Sequence, residues 1–197
     1  MAANPPLILA SSSPRRLALL RQIGLEPSAI EGPEVDETPH PREIPRAYAS
    51  RIAAAKAAAV AARQPDSERF VLGADTVVAC GRRILPKATD AAVAERCLKL
   101  LSGRRHRVYT GIMILAPAGR RAARVVMTAV RFKRLASDEL GAYLACGEWQ
   151  GKAGGYGIQG RAEAFTLAIN GSWSNVVGLP LATTVDLLRG LGWRFGP

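Results

Sequence analysis

Short apolar runs alternate with segments of helical periodicity along this chain, and no other feature of the sequence restricts the fold as strongly. The first helix has clear boundary signals: Ser13 is a good N-cap, Pro14 suits the first helical position, and Gly24 marks the end. The pattern predicts strands over residues 7–10, 70–80 with an interruption at Gly73, 106–116, 124–135 and 165–169. It predicts helices over residues 14–23, 45–63, 90–101, from 137 onward, and 180–191. Interleaved strands and helices indicate an α/β protein with a mixed sheet.

The composition fits one folded domain over residues 1–197. Of the 197 residues, 48% are hydrophobic and 22% are charged, and we find no repeat or linker that would divide the chain. No apolar run reaches the roughly 18 residues of a membrane span, and the first ten residues are too short and uncharged for a signal peptide. We therefore expect no membrane association and a cytoplasmic location.

The three cysteines are isolated from one another, with no C-x-x-C spacing. This argues against both a disulfide framework and a zinc site. The two histidines, His40 and His106, are isolated as well. A metal in this protein would have to be bound by oxygen atoms.

The net charge of +11 comes mainly from arginine. Such an excess favours a polyanionic partner, either nucleic acid or a phosphorylated small molecule, although a solvated basic surface explains it equally well. The arginines occur in scattered pairs without interleaved aromatic residues, which weakens the case for a nucleic-acid tract.

The segment "LILASSSPRR" joins a strand to a helix N-terminus through a serine-rich turn. Unpaired N–H groups, the positive end of the helix dipole and two arginines together suit a phosphate chain. The alternative is a capped helix whose arginines face solvent.

Several charged residues stand out against their apolar surroundings. Asp75 follows a buried run, where a carboxylate normally needs a partner or a metal; it could also simply form a turn. The cluster "EVDE" offers Glu34, Asp36 and Glu37 for the same metal, although a surface cluster is the more common explanation. Lys56 lies in an alanine-rich helix, where a lone lysine usually extends to water.

The stretch "GKAGGYGIQG" places five glycines in ten residues. It contains G-x-G-x-x-G, but the dinucleotide-binding motif needs a helix after it and an acid about 20 residues on, and both are missing. The phosphate-binding Walker A spacing also fails. Glycines allow positive φ angles and close backbone approach to a ligand, so the loop belongs to some other kind of site.

These parts together suit metal-assisted attack on a phosphate ester or anhydride. In this order they resemble the Maf family of nucleoside triphosphate pyrophosphatases, from Leu7 to about Leu191. The resemblance also rests on "VLGADTVV", "LSGRRHRVYTG" and "INGSWSNVVGLPL". It implies two lobes around a deep cleft, as in inosine triphosphatases, and Mg²⁺- or Mn²⁺-dependent hydrolysis to the monophosphate and pyrophosphate.

The resemblance also assigns roles to residues. Asp75 matches the acid that accepts the proton of the attacking water, and it would bind the metal together with Asp36. The cleft residues that should face the triphosphate are Ser11, Ser13, Arg15, Arg16 and Lys56. Lys87 matches a further phosphate ligand, but this chain has Pro86-Lys87-Ala88 where relatives usually have Gly-Lys-Pro.

At the base site, this chain resembles the branch of the family that prefers dTTP and UTP. The resemblance rests on Arg15, Thr76 and Gln159. A sibling branch that acts on 7-methyl-GTP tends to have Gly-Ser-Asp-Gln where this chain has residues 73–76. The Gln159 amide suits a pyrimidine edge, and Lys152 adds charge to the glycine loop. A flipped amide could serve cytosine as well, so the exclusion of CTP must come from elsewhere.

Two other functions stay open at this point. One is a nucleic-acid-binding regulator of septation without turnover, and the other is an inosine-type purine triphosphate pyrophosphatase. For the predicted enzyme, a modified pyrimidine triphosphate is a further candidate for the natural substrate. The resemblance implies a homodimer.

Overall fold

The computed structural model describes residues 4–63 and 68–195, and its centre is one mixed β-sheet. The strands are β1 (Leu7–Ala10), β2 (Ala29–Ile30), β3 (Phe70–Cys80), β4 (Arg83–Leu85), β5 (Arg105–Leu115), β6 (Arg121–Phe132) and β7 (Thr166–Asn170). Their order is β2-β1-β3-β5-β6-β7, and β4 pairs with β3. Strand β1 runs parallel to β2 and β3, whereas the other pairs are antiparallel. The predicted α/β fold with a mixed sheet is confirmed.

Helices flank this sheet. They are α1 (Pro14–Gln22), α2 (Pro45–Ala61), α3 (Ala91–Leu101), α4 (Ser137–Cys146), α5 (Trp173–Val177) and α6 (Leu181–Gly190), with a 3₁₀ turn over Arg161–Phe165. The sequence predicts all of the longer elements to within a few residues. It misses β2, β4 and α5, which are too short to show periodicity. Within the described ranges, no helix is long and apolar enough to cross a membrane.

Helix α2 packs directly on the sheet at two glycines. A Cβ atom at Gly73 would lie 2.8 Å from the backbone nitrogen of Ala57, and one at Gly111 would lie 2.9 Å from that of Ser50. The predicted interruption of the strand at Gly73 is therefore wrong, because β3 continues to Cys80 and the glycine serves helix packing instead. Small residues on both surfaces bring the α2 backbone against the sheet.

The sheet opens beside the middle of β3. Strand β5 pairs along one edge of β3 from Val71 to Ala79. On the other edge, β1 pairs with β3 only as far as Gly73, and the pairing of β4 with β3 begins at Val78. Residues 74–77 therefore face the gap where β1 ends, and this gap is the floor of the cleft.

Candidate active site

The cleft has a volume of about 300 Å³ and is formed by the β1–α1 turn, the middle of β3 and the glycine loop. Nearly every residue that the sequence assigns to the site lines it. These residues are Ser11, Ser13, Arg15, Arg16, Lys56, Asp75, Thr76, Lys87, Lys152 and Gln159. Asp75 lies in mid-strand, at the gap beside the carboxyl end of β1.

A buried ion-pair cluster occupies one side of the cleft. The Lys56 Nζ atom lies 2.7 Å from Asp75 Oδ1 and 2.7 Å from Glu37 Oε1. Lys56 and Asp75 are only 7% and 3% exposed, so this lysine does not extend to water. Asp75 and Gly73 share a face of β3, and the close approach of α2 at Gly73 brings the Lys56 amine to the carboxylate.

Glu37, not Asp36, is the acid of the "EVDE" cluster that reaches the cleft. Exposure alternates along residues 31–37, as expected for extended chain, so that Glu37 points inward while Asp36 points outward. The Asp36 Oδ1 atom accepts a hydrogen bond of 2.8 Å from the Thr38 N–H. Asp36 does not line the cleft in this structure, and its role as a metal ligand stays a prediction.

Glu37 is anchored through its backbone and its side chain. The Tyr48 hydroxyl donates a 2.7 Å hydrogen bond to the Glu37 carbonyl oxygen. Lys87 Nζ lies 2.5 Å from Glu37 Oε2, so the carboxylate lies between two lysines. Burial alone would raise the pKa of Glu37, but hydrogen bonds from Lys56 and Lys87 outweigh it and hold the pKa below its ordinary value.

Glu37 and Asp75 suit a magnesium ion that is shared with a substrate. Among residues 4–63 and 68–195, no group of three or more His, Cys, Asp or Glu side chains forms a complete metal cage. Mg²⁺ needs no such cage, because it is commonly bound by one or two carboxylates together with substrate phosphates. The two carboxylates that converge on Lys56 supply that kind of donor set.

Arg16 is held inside the protein on the other side of β3. Its Nε donates to the Gly178 carbonyl oxygen at 2.9 Å, Nη1 to Ser11 Oγ at 2.8 Å and Nη2 to Thr76 Oγ1 at 3.2 Å. Burial lowers the pKa of this guanidinium. Arg16 thus joins the serine turn, β3 and the segment after α5, in addition to facing the cleft.

Arg15 and Lys152 provide positive charge to the cleft without an ion-pair partner among the described residues. In the described part of the chain, Arg15 has no hydrogen-bond or ion-pair partner, and burial lowers its pKa. Lys152 donates to the Glu148 carbonyl oxygen, and its pKa is lowered by burial and by the charge of Arg15. Because these cations repel each other, an anion in the cleft would relieve the repulsion.

The glycine loop pairs with the segment that departs from the family pattern. Lys87 forms a β-bridge with Ala153, the Ala88 N–H donates to the Lys152 oxygen at 3.0 Å, and the Gly154 N–H donates to the Pro86 oxygen at 3.0 Å. Pro86 contributes only its carbonyl, so its missing N–H leaves no bond unmade. The segment Pro86-Lys87-Ala88 is compatible with a cleft position for Lys87.

An aromatic cluster under the loop is a part of the site that the sequence did not reveal. The His106 Nε2 atom lies 2.8 Å from the Tyr156 hydroxyl, and the Gly157 N–H donates to the Tyr143 hydroxyl at 3.2 Å. Burial lowers the pKa of His106 to about 4, so the ring is neutral. These contacts fix the buried half of the loop and leave Gln159 exposed at the cleft.

Known proteins are similar to this chain over almost its whole length. A family model described as Maf-like protein matches residues 6–191. The chain is 56% identical to the dTTP/UTP pyrophosphatase of Caulobacter vibrioides, over 98% of this chain and 100% of that protein. It is 59% identical to the dTTP/UTP pyrophosphatase of Paramagnetospirillum magneticum, over 95% and 97%. For the protein of that name from Rhodospirillum rubrum, the identity is 58% over 98% and 91%. The chain belongs to the Maf family.

Proposed function

We propose that this protein is a nucleoside triphosphate pyrophosphatase that hydrolyses dTTP and UTP to the nucleoside monophosphate and pyrophosphate. The observation that carries the proposal is the cleft itself, where a buried acid, Asp75, faces two cations, Arg15 and Lys152, that form no ion pair with any described residue. The names of the relatives cited above support the same substrates.

The proposed reaction begins with water attacking the α-phosphorus. Lys56 holds Asp75 through its Oδ1 atom, and we assign Asp75 Oδ2 as the acceptor of the water proton. The bond between the α-phosphorus and the bridging oxygen breaks, and that oxygen leaves with pyrophosphate. Arg15, Lys87 and Lys152 bind the triphosphate and stabilise the charge that develops on the leaving group.

Ser11, Ser13 and the N-terminus of α1 would bind further phosphate oxygens. This turn presents backbone N–H groups at the positive end of a nine-residue helix. A divalent ion, Mg²⁺ or Mn²⁺, would be held by Glu37 and Asp75 and would neutralise phosphate charge. Asp36, which the family resemblance assigns as a metal ligand, is the alternative to Glu37.

Gln159 and Thr76 are the proposed readers of the base. Gln159 lies at the exposed rim, where its amide can donate to a pyrimidine carbonyl. Modified pyrimidines that keep this edge fit the same site. A purine preference, as in inosine-type pyrophosphatases, would leave Gln159 without this role, and the names of the relatives favour pyrimidines.

The remaining expectations follow from this function. We propose one catalytic domain over residues 1–197 that acts on the cytoplasmic nucleotide pool, and a homodimer remains the implication of the family resemblance. A nucleic-acid-binding regulator without turnover is the alternative. It finds less support, because the relatives cited above are named as pyrophosphatases.

The test is a panel of nucleoside triphosphates with Mg²⁺, assayed with and without added inorganic pyrophosphatase. We expect phosphate only with the helper enzyme, and the highest rates with dTTP and UTP. Asp75→Asn should abolish turnover and keep the fold, as checked by circular dichroism. Retained activity would refute Asp75 as the base, whereas salt-dependent DNA binding with no turnover of any triphosphate would favour the regulator.

The metal assignment is tested by two variants of neighbouring acids. Glu37→Gln should raise the Mg²⁺ concentration needed for half-maximal rate, whereas Asp36→Asn, at the exposed neighbour, should leave it unchanged. The opposite result would restore Asp36 as the ligand.

A further inference from the structure

A chain of hydrogen bonds runs from Arg16 through two threonines to the backbone of α5. The Arg16 Nη2 group donates to Thr76 Oγ1 at 3.2 Å, and Thr76 Oγ1 lies 2.9 Å from Thr110 Oγ1. Thr110 Oγ1 lies 3.1 Å from the Asn175 carbonyl oxygen. Thr76 lines the cleft, whereas Thr110 and Asn175 are fully buried behind it.

The Asn175 carbonyl fixes the direction in which Thr110 donates. A buried carbonyl oxygen needs a donor, and this one belongs to the middle residue of the five-residue helix α5, whose last four carbonyl groups have no partner within the helix. In the described part of the chain, the donor it meets is the Thr110 hydroxyl. Since a hydroxyl has a single proton, Thr110 can only accept in its 2.9 Å contact with Thr76.

The Thr76 hydroxyl therefore donates into the protein. Two acceptors on the protein side compete for its proton, Thr110 Oγ1 at 2.9 Å and the Gly178 carbonyl oxygen at 3.2 Å. One lone pair of Thr76 Oγ1 receives the Arg16 N–H. Because its proton is turned inward, Thr76 can offer a ligand in the cleft only an acceptor and no donor.

We infer that Thr110 is a specificity-positioning residue, which orients the Thr76 hydroxyl so that the cleft accepts a hydrogen bond from a ring N–H of the base. This inference rests on the proposed function. The N3 atom of uracil and thymine carries a hydrogen and satisfies Thr76. The N3 atom of cytosine carries a lone pair instead, which would face the lone pair of Thr76. The Gln159 amide cannot exclude CTP, because a flipped amide also matches cytosine. The fixed Thr76 hydroxyl then provides this exclusion.

The direct test compares UTP, CTP and 3-methyl-UTP as substrates of the full-length protein. The methyl group replaces the N3 hydrogen, so we expect the kcat/KM of wild type for 3-methyl-UTP to fall at least about tenfold below that for UTP, the equivalent of one lost hydrogen bond. Equal kcat/KM for UTP and CTP would overturn the inference and leave the pyrophosphatase standing. Absence of turnover of every triphosphate would overturn both.

Thr110 itself is tested by a matched pair of variants. Thr110→Val has nearly the same shape but no hydroxyl, so the Thr76 proton loses its nearer acceptor and keeps only the Gly178 oxygen at 3.2 Å, which holds the hydroxyl less firmly. We expect the UTP-to-CTP ratio of kcat/KM to fall about tenfold, whereas Thr110→Ser keeps the wild-type ratio. A purely structural role for Thr110 would lower both kcat/KM values together and leave the ratio unchanged. If Thr110→Val does not fold, Thr110→Ala, which also lacks the hydroxyl, takes its place in the comparison with Thr110→Ser.

Discussion

The packing of α2 on Gly73 predicts that one added methyl group will disturb both stability and catalysis. In Gly73→Ala the new Cβ would lie 2.8 Å from Ala57 N and closer still to the Ala53 carbonyl oxygen. Both atoms belong to the helix backbone, so no side-chain rotation relieves the overlap and α2 must move. Overpacking of this kind costs about 1–3 kcal/mol. For a chain of this size we expect a drop in Tm of roughly 2 to 12 °C.

The same shift should weaken the active site, because Lys56 lies on α2 beside the point of overlap. We expect kcat to fall as the 2.7 Å contact between Lys56 Nζ and Asp75 Oδ1 is disturbed. Gly141→Ala is the control, since a Cβ there meets no atom within 4 Å in the middle of α4. That variant should gain about 0.5–1 kcal/mol and keep wild-type kinetics. A Gly73→Ala protein with unchanged Tm and kcat would refute the packing argument.

Three further predictions concern Tyr48, Glu43 and the metal. Tyr48→Phe removes the hydrogen bond to the Glu37 carbonyl and should raise the Mg²⁺ requirement severalfold with little change in Tm; an unchanged requirement in a Mg²⁺ titration would show that Tyr48 does not position Glu37. Glu43 has a pKa of about 2, below its ordinary 4.5, chiefly because of its hydrogen bond from Arg51. Since this folded-state pKa is depressed, its contribution to stability is present above about pH 4.5 and is lost as the pH falls toward 2. The Tm of Glu43→Gln should therefore fall less than that of wild type over this range, and parallel curves would contradict the assignment. Chelation with EDTA should abolish turnover reversibly, and activity that survives dialysis against EDTA would argue against metal assistance.

The parts of the site that the sequence predicts are those fixed by local rules. Ser13 and Pro14 begin α1 at the predicted place, and that start fixes the serine turn at the cleft. The long apolar run of β3 likewise places Asp75 next to a buried segment, although the structure has it in mid-strand and not after the run.

Other parts depend on contacts between distant segments. Which acid of "EVDE" points inward depends on how residues 31–37 dock against Tyr48, and the local pattern does not contain that information. The pattern around Lys56 favours an extended lysine, and its burial follows from the close approach of α2 at Gly73. Arg16 donates a hydrogen bond to Gly178, which is 162 residues away in the sequence. No local motif could therefore predict this structural role of Arg16.

Attack of water on the α-phosphorus can be observed by turnover of UTP in H₂¹⁸O followed by mass spectrometry of both products. We expect one ¹⁸O atom in UMP and none in the released pyrophosphate. Label in pyrophosphate or in orthophosphate would place the attack on another phosphorus, and would contradict the roles assigned to Asp75 and the cations around it.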